Sequence, residues 1–558
     1  MRHVRFWTRR FAVGPYLVSA MLSASCAQVG TPSGGPVDET PPRVVATTPS
    51  DNSVMVSRDS DVTIRFSETM RTETVDRALY ITPYPDPYPL LRWSSDYRRV
   101  RVDFDRNLEE NQTYIVTLGT DAADARGNRL SQAHTFAFST GADIDSGTVS
   151  GTVFEVRDGV PQPKVGATVG LYRLSEQTNE PDPTSTYAGF QTQTGNGGMF
   201  QFGYLSPGRY RVLAWSDNGN ALLDPGETLG VTSEDTELTD DYLTAETRPI
   251  LLHAYDPDGP ELRLLRAVDR NRVELEFNEP VLTNSVEFHI VAPETLSTSV
   301  IPSHTPSPTV AVWTERQSPG TAYGVSIVAR DVAGNLSEFG ADTTVFDGVS
   351  LADTTAPQHT AAVLPQPLIG SKLDSLVLWF SDHLGYVPFD SLSVLEDSIR
   401  VEGRWSKVDP NRVVYYPTRA LSRESVTWRI PLNHVTDHAG NARSDTLSIP
   451  IRYVPTDSLG ELSGTITKAN DGTKRIIVRA LPLRGKWSID TVVEDDFSWE
   501  FTAVPAGDYR LFTWDDQDGN DEWTTGHAVP FKPSERWTLS DTVSVRARWS
   551  STGMSIEF

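Results

Sequence analysis

Apolar and polar positions alternate one for one along much of the chain, the signature of strands with one face in a core and the other in water. Val62, Ile64 and Phe66 flank Thr63 and Arg65; Val273, Leu275 and Phe277 flank Glu274 and Glu276; Leu376, Leu378 and Phe380 make a third copy. Each run ends in an aromatic, a small polar residue and an acid: Phe66-Ser67-Glu68, Phe277-Asn278-Glu279 and Phe380-Ser381-Asp382. Farther on, each copy carries Asp-x-x-Gly-Asn, at Asp124 to Asn128, Asp331 to Asn335 and Asp437 to Asn441. Between these marks lie more period-two stretches, such as Val100/Val102/Phe104 and Tyr114/Val116/Leu118. The pattern predicts a sandwich unit repeated three times, with each alternating run as its first strand. Acidic, proline-bearing lead-ins precede the copies at Asp38–Pro42, Asp256–Pro260 and Asp353–Pro357, as expected where one domain hands over to the next.

A second unit occurs twice. Gly147-Thr148-Val149-Ser150-Gly151-Thr152-Val153 opens one copy and Gly460-Glu461-Leu462-Ser463-Gly464-Thr465-Ile466 the other. Phe200, Phe202, Gly208, Tyr210 and Trp215 match Trp499, Phe501, Gly507, Tyr509 and Trp514 at identical offsets, with Pro207 and Pro505 before the glycines. Two aromatic strands joined by a Pro/Gly turn predict a β-hairpin, its alternate aromatics forming one buried face.

These residues carry a resemblance. The first unit, with Thr40-Pro41-Pro42, the Phe66-Ser67-Glu68 strand end and the Asp124 turn before Phe136-Ala137-Phe138-Ser139-Thr140, resembles the bacterial Ig-like domain of the S-layer SbsA type. The second is similar to the transthyretin-like or Cna-B-like sandwich. The whole layout, with Cys26-Ala27 and Gly34-Gly35-Pro36 at its start, resembles Ig-like-domain envelope lipoproteins. The resemblance implies an all-β chain of tandem β-sandwich domains, three Ig-like and two transthyretin-like. Their expected spans are 42–141 (Ig-like), 142–253 (transthyretin-like), 254–353 and 354–455 (Ig-like) and 456–558 (transthyretin-like). It implies a place in the envelope but does not supply an activity, since such sandwiches host many unrelated roles.

The chain's start agrees. Arg2, Arg5, Arg9 and Arg10 precede a short apolar stretch ending in Leu22-Ser23-Ala24-Ser25-Cys26, which reads as a signal peptide over 1–25. The segment resembles a lipobox, although Ser23 stands where a leucine is usual. Cys26 is the sole cysteine, so it is the expected lipidation site and no internal disulfide can form. Residues 26–41, rich in glycine and proline, read as the lipidated residue and a flexible tether reaching on the order of 20 Å. The expected localisation is the cell envelope, lipid-anchored, in the outer membrane of a Gram-negative bacterium. A net charge of −25 excludes nucleic acid as a partner, because phosphate binding needs a basic face.

Candidate chemistry is sparse. No Gly-x-Ser-x-Gly, P-loop or dinucleotide fingerprint occurs, so no catalytic residue is assigned and the chain is expected not to be an enzyme. His434, Asp437 and His438 have a ligand-like spacing but fall on a turn and read as loop residues. Tyr84 and Tyr88, in the proline-rich stretch Pro83–Pro89, are candidates for binding a partner or sugar, or else cover the end of the first sandwich. Two acidic loops could hold calcium, which takes six to eight oxygens on a tight turn: Asp217, Asn218, Asn220, Asp224 and Glu227 in one, Asp516, Asp518 and Asn520 in the other. Distal acids are expected at positions 524 and 527 of the second loop, where Thr524 and His527 stand instead. Both loops also read as plain Asx/Gly turns that need no metal. Two functions follow: a structural, adhesive or scaffolding module with envelope proteins as partners, or a ligand-binding lipoprotein, for instance for glycans, with its site on sandwich loops.

Overall fold

The computed structural model describes residues 39–174, 180–467 and 475–558; Cys26 and the signal segment lie outside the described residues. The fold is all-β, mostly antiparallel, in five bodies that each have their own buried cluster. The clusters run from Val62 to Phe138, Val149 to Leu252, Val273 to Phe346, Leu368 to Ile451 and Leu462 to Phe558. Among the described residues no helix is long and apolar enough to cross a membrane.

The first, third and fourth bodies share one strand order. In the first, Val44–Thr48, Val62–Phe66, Arg99–Asp103 and Leu90–Trp93 form one sheet in that order, facing Leu79–Thr82, Thr113–Leu118 and His134–Ser139. The third repeats it with Leu262–Asp269, Arg272–Val281, Ser307–Thr314 and Thr298–Ile301, and the fourth with His359–Val363, Leu376–Phe380, Arg412–Pro417 and Gly403–Asp409. The alternating runs are therefore the second strands, central in their sheets, and not the first as the pattern predicted. The true first strands are edge strands: Val44–Thr48 has no fully buried position, so it carries no alternation to read. The central strands do bury alternate residues. Val62, Ile64, Phe66, Val273, Leu275 and Phe277 are all at most 3 % exposed, each stabilising its core by about 1.5–3 kcal/mol.

The Asp-x-x-Gly-Asn turns close these sandwiches in one way. Asp124 Oδ1 accepts from the backbone N–H groups of Arg126, Gly127 and Asn128 at 2.7–2.9 Å, and its Oδ2 accepts from Asn128 Nδ2. The glycine is required because Gly127, Gly334 and Gly440 have φ of +99°, +97° and +89°, where a Cβ is strained.

In the second and fifth bodies the paired aromatic stretches are not hairpins. Met199–Leu205 pairs with Gly147–Arg157, whereas Gly208–Trp215 pairs with Thr168–Leu174; in the fifth body the two stretches lie in separate sheets. The Pro/Gly turn is thus an arch that carries the chain across the sandwich. Phe200, Phe202 and Tyr210 share one core from opposite sides, as do Trp499, Phe501 and Tyr509. Local spacing could not separate arch from hairpin, since both place alternate aromatics inward. The tyrosines fix the arch: Tyr210 Oη donates to the Ser206 carbonyl at 2.7 Å and Tyr509 Oη to that of Pro505 at 2.6 Å.

Gly208–Trp215 is buried over its last six positions without alternation. A strand loses its two-residue pattern when both faces are covered. Its inner face joins the body's core, while Leu213 and Trp215 face a second cluster with Tyr172, Leu229, Val231 and Ala528 of the fifth body.

Candidate functional site

In the third and fourth bodies the Asn of the turn also gathers the lead-in. Asn335 Nδ2 donates to Asp331 Oδ2 at 2.9 Å and to the carbonyls of Asp256 and Asp258 at 2.8 and 3.0 Å. Asn441 Nδ2 likewise reaches Asp437 Oδ2 and the Asp353 carbonyl. Lead-in, strand end and turn therefore meet, and each brings an acid. In the third body the carboxylate oxygens of Asp256, Glu279 and Asp331 lie within 4.8 Å of one another. Burial, then the hydrogen bond and charge of Asp256, hold Glu279 well above the usual carboxylate range.

In the fourth body Asp353, Asp382 and Asp437 hold the matching places. Arg272, from the third body, donates to Asp382 Oδ2 at 3.0 Å. Burial raises the Asp382 carboxyl and the Arg272 charge opposes it. Nearby, His383 is pushed down to about 4 by burial and by His438, while the Trp313 ring lies tilted beside both, at 6.0 and 6.1 Å. His434 is exposed on its turn and His438 faces this seam. All six acids were visible in the sequence as repeat marks; that they meet follows only from the turn geometry.

The two acidic loops are also built alike. Asp217 Oδ1 accepts from the N–H groups of Gly219, Asn220 and Ala221, and Asn220 Nδ2 donates to Asp224. Glu227 closes the loop by accepting from Asn218 N–H at 2.8 Å and Asp224 N–H at 3.0 Å. In the fifth body Asp516 accepts from Gly519 and Asn520 N–H, and Asp518 from Asn520 N–H and the Thr524 hydroxyl. The distal acid there is Glu535, which accepts from Gln517 N–H at 2.6 Å and Thr524 N–H at 3.0 Å. Position counting toward 524 and 527 missed it because the loop is longer than its sister. Oxygens of Asp516, Asp518 and Glu535 lie within 4.8 Å of one another, a donor set that suits a hard cation. Arg475 already holds Asp516 at 2.9 Å.

Tyr84 and Tyr88 are only half offered to solvent. Tyr84 stacks on Tyr187 of the second body at 4.5 Å, and its N–H donates to the Gly189 carbonyl. Tyr88 Oη donates to the Leu79 carbonyl at 2.9 Å, and burial pushes its phenol up to about 12.

Comparison with known proteins gives one family match: residues 38–140 fit the bacterial Ig-like domain. No curated protein matches the chain. Solved structures similar to it include the N-terminal part of the bacterial S-layer protein SbsC, at 13 % identity and a TM-score of 0.14, covering 35 % of this chain and 44 % of that one. Native α2-macroglobulin from E. coli is 10 % identical at a TM-score of 0.15, over 90 % of this chain and 34 % of that one. BcpA, the major pilin subunit of Bacillus cereus, is 10 % identical at a TM-score of 0.13, over 74 % and 99 %. The chain thus spans less than half of the first two, and likenesses this slight carry no argument about function. The family match, to the bacterial Ig-like domain, covers the first body's two sheets and its Asp124 turn.

Proposed function

We propose that this chain is a non-catalytic envelope lipoprotein, anchored through Cys26, whose five domains act as a structural, adhesive or scaffolding module. The domain boundaries in this reading fall near 142, 253, 353 and 456. One observation carries it: charged and aromatic groups that could have formed a site are spent on joining bodies at two of the seams. Arg272, Asp382 and His383 hold the third and fourth bodies together, and Tyr84 and Tyr187 hold the first and second. A cavity of about 410 Å³ is a seam as well, lined by His253, Tyr255, Asp256, Val332 and His527 from three bodies.

The anchor is tested by Cys26→Ala, which is expected to release the protein from the membrane fraction with its fold unchanged, because the diacyl chains supply the attachment. Retention after a salt wash would end the lipoprotein reading. The role is tested by using the soluble chain 43–558 as bait on solubilised envelopes. A protein partner supports the scaffold; retention of polysaccharide instead supports the ligand-binding alternative, in which Tyr84 and Tyr88 or the seam cleft would take a glycan. Calcium is part of the proposal at the loops Asp217–Glu227 and Asp516–Glu535, where it would tie a loop to its sandwich.

A further inference from the structure

The fifth body returns to the second, and the two meet through equivalent positions. Arg211 and Arg510 each follow the core tyrosine of the arch by one residue. Asp235 holds the Arg211 guanidinium through two hydrogen bonds, at 2.9 and 3.1 Å, and the ring of Phe531 from the fifth body lies 3.3 Å from its Cζ. Arg510 reaches the other way, donating to the Pro161 carbonyl of the second body. Beside it Phe154 and Leu251 of the second body pack with Phe512, Trp514 and Trp537 of the fifth; the rings of Phe154 and Trp537 are 5.4 Å apart, edge to face. Desolvated aromatic and cation–π contacts of this kind carry most of the affinity in a protein interface.

One segment breaks the equivalence. Glu227 follows Trp215 by 12 positions, whereas Glu535 follows Trp514 by 21. Both glutamates close the same loop in the same way, so the nine additional residues form an insertion. They fold into a small hairpin, with His527 and Lys532 bridged through both backbone N–H groups, and its tip lies on the second body. Ala528 enters the cluster around Trp215, Phe531 caps Arg211, and the Phe531 N–H donates to Glu180 at 3.1 Å.

We propose that the inserted hairpin Thr524–Glu535 is a latch, and that the face of the second body around Arg211, Tyr172 and Leu229 is the surface that receives it. The latch holds the last body on the second, so the module is a closed assembly and not an extended stalk. The second body has no such insertion and cannot return the contact, which makes the fit directional. The closure is intramolecular, and the intervening bodies keep the two surfaces at high effective concentration.

The test uses the whole soluble chain. A zero-length carbodiimide is expected to join Lys532 to Glu180, whose carboxylate accepts from the adjacent residue, and peptide mapping should find that link in the monomer band. Phe531→Asp removes the cap from Arg211 at a half-exposed tip, away from the core of the fifth body. It should abolish the link and enlarge the particle in small-angle scattering, with an unchanged circular dichroism spectrum. The wild-type link requires no variant to fold. A link absent from wild type, found only in a dimer band, or kept in Phe531→Asp would each overturn the latch.

Discussion

The third and fourth bodies place three acids at the same positions and compensate them differently. Asp382, beside Asp353 and Asp437, receives the guanidinium of Arg272 from the neighbouring body, so the acid set becomes the socket of a seam. Asp256, Glu279 and Asp331 are brought together by the same turn chemistry, no side-chain cation pairs with them among the described residues, and Glu279 is held well above the usual carboxylate range. The turn and its Asn dictate that the acids meet. What neutralises them depends on what the next body offers, and in the fourth body a largely buried ion pair joins it to its neighbour.

Arg272→Met should break this comparison with the largest effect. It strands Asp382, which is 7 % exposed, beside Asp353 and Asp437, and removing one partner of such a pair costs about 3 kcal/mol. Native-state hydrogen exchange in Leu376–Phe380 and Arg412–Pro417 reads the loss. Adding Asp382→Asn should restore most of the protection. If the single variant protects those strands as well as wild type, the guanidinium is not what balances the set.

The acidic loops sharpen the comparison, because one of them also holds a guanidinium. With free calcium tenfold above its dissociation constant, binding to the folded chain alone would add about 1.4 kcal/mol. The expected result is a higher melting transition of the full chain in calcium than in chelator. Glu535→Gln should diminish that difference, and Arg475→Gln, which frees Asp516, should enlarge it. Equal melting in calcium and in chelator would leave both loops as turns closed by backbone hydrogen bonds.

Much of the fold was legible from residue order, because central strands such as Val62–Phe66 bury alternate side chains and the glycines of the turns need positive φ. Edge strands were not, since Val44–Thr48 buries no position fully and its pattern carries no period. The arch at Pro207-Gly208 was read as a hairpin because inward spacing is the same for both, and only pairing with Thr168–Leu174 separates them. The site was least legible. Glu279 and Glu535 act through contacts made across the chain, with Asp256 and Asp331 in one case and Gln517 and Thr524 in the other, and spacing along the sequence does not encode those.

Glu279→Gln tests the uncompensated set and carries the smallest expected effect. In the folded chain Glu279 is pushed up to about 7, against an ordinary value of 4.5 that applies once the chain unfolds. Below 4.5 both states hold the proton and the cluster adds no penalty. Between 4.5 and 7 the unfolded chain releases its proton first, so stability falls as pH rises, and above 7 the penalty is constant. Glutamine keeps the size and removes the charge. Because Glu279 is partly exposed, solvent screens much of the repulsion, and the gain should be about 1 kcal/mol near pH 8 and close to nothing near pH 4. Denaturant titrations of the variant and wild type at both pH values measure it. A gain of the same size at both would mean that packing, and not the missing cation, distinguishes this body from its neighbour.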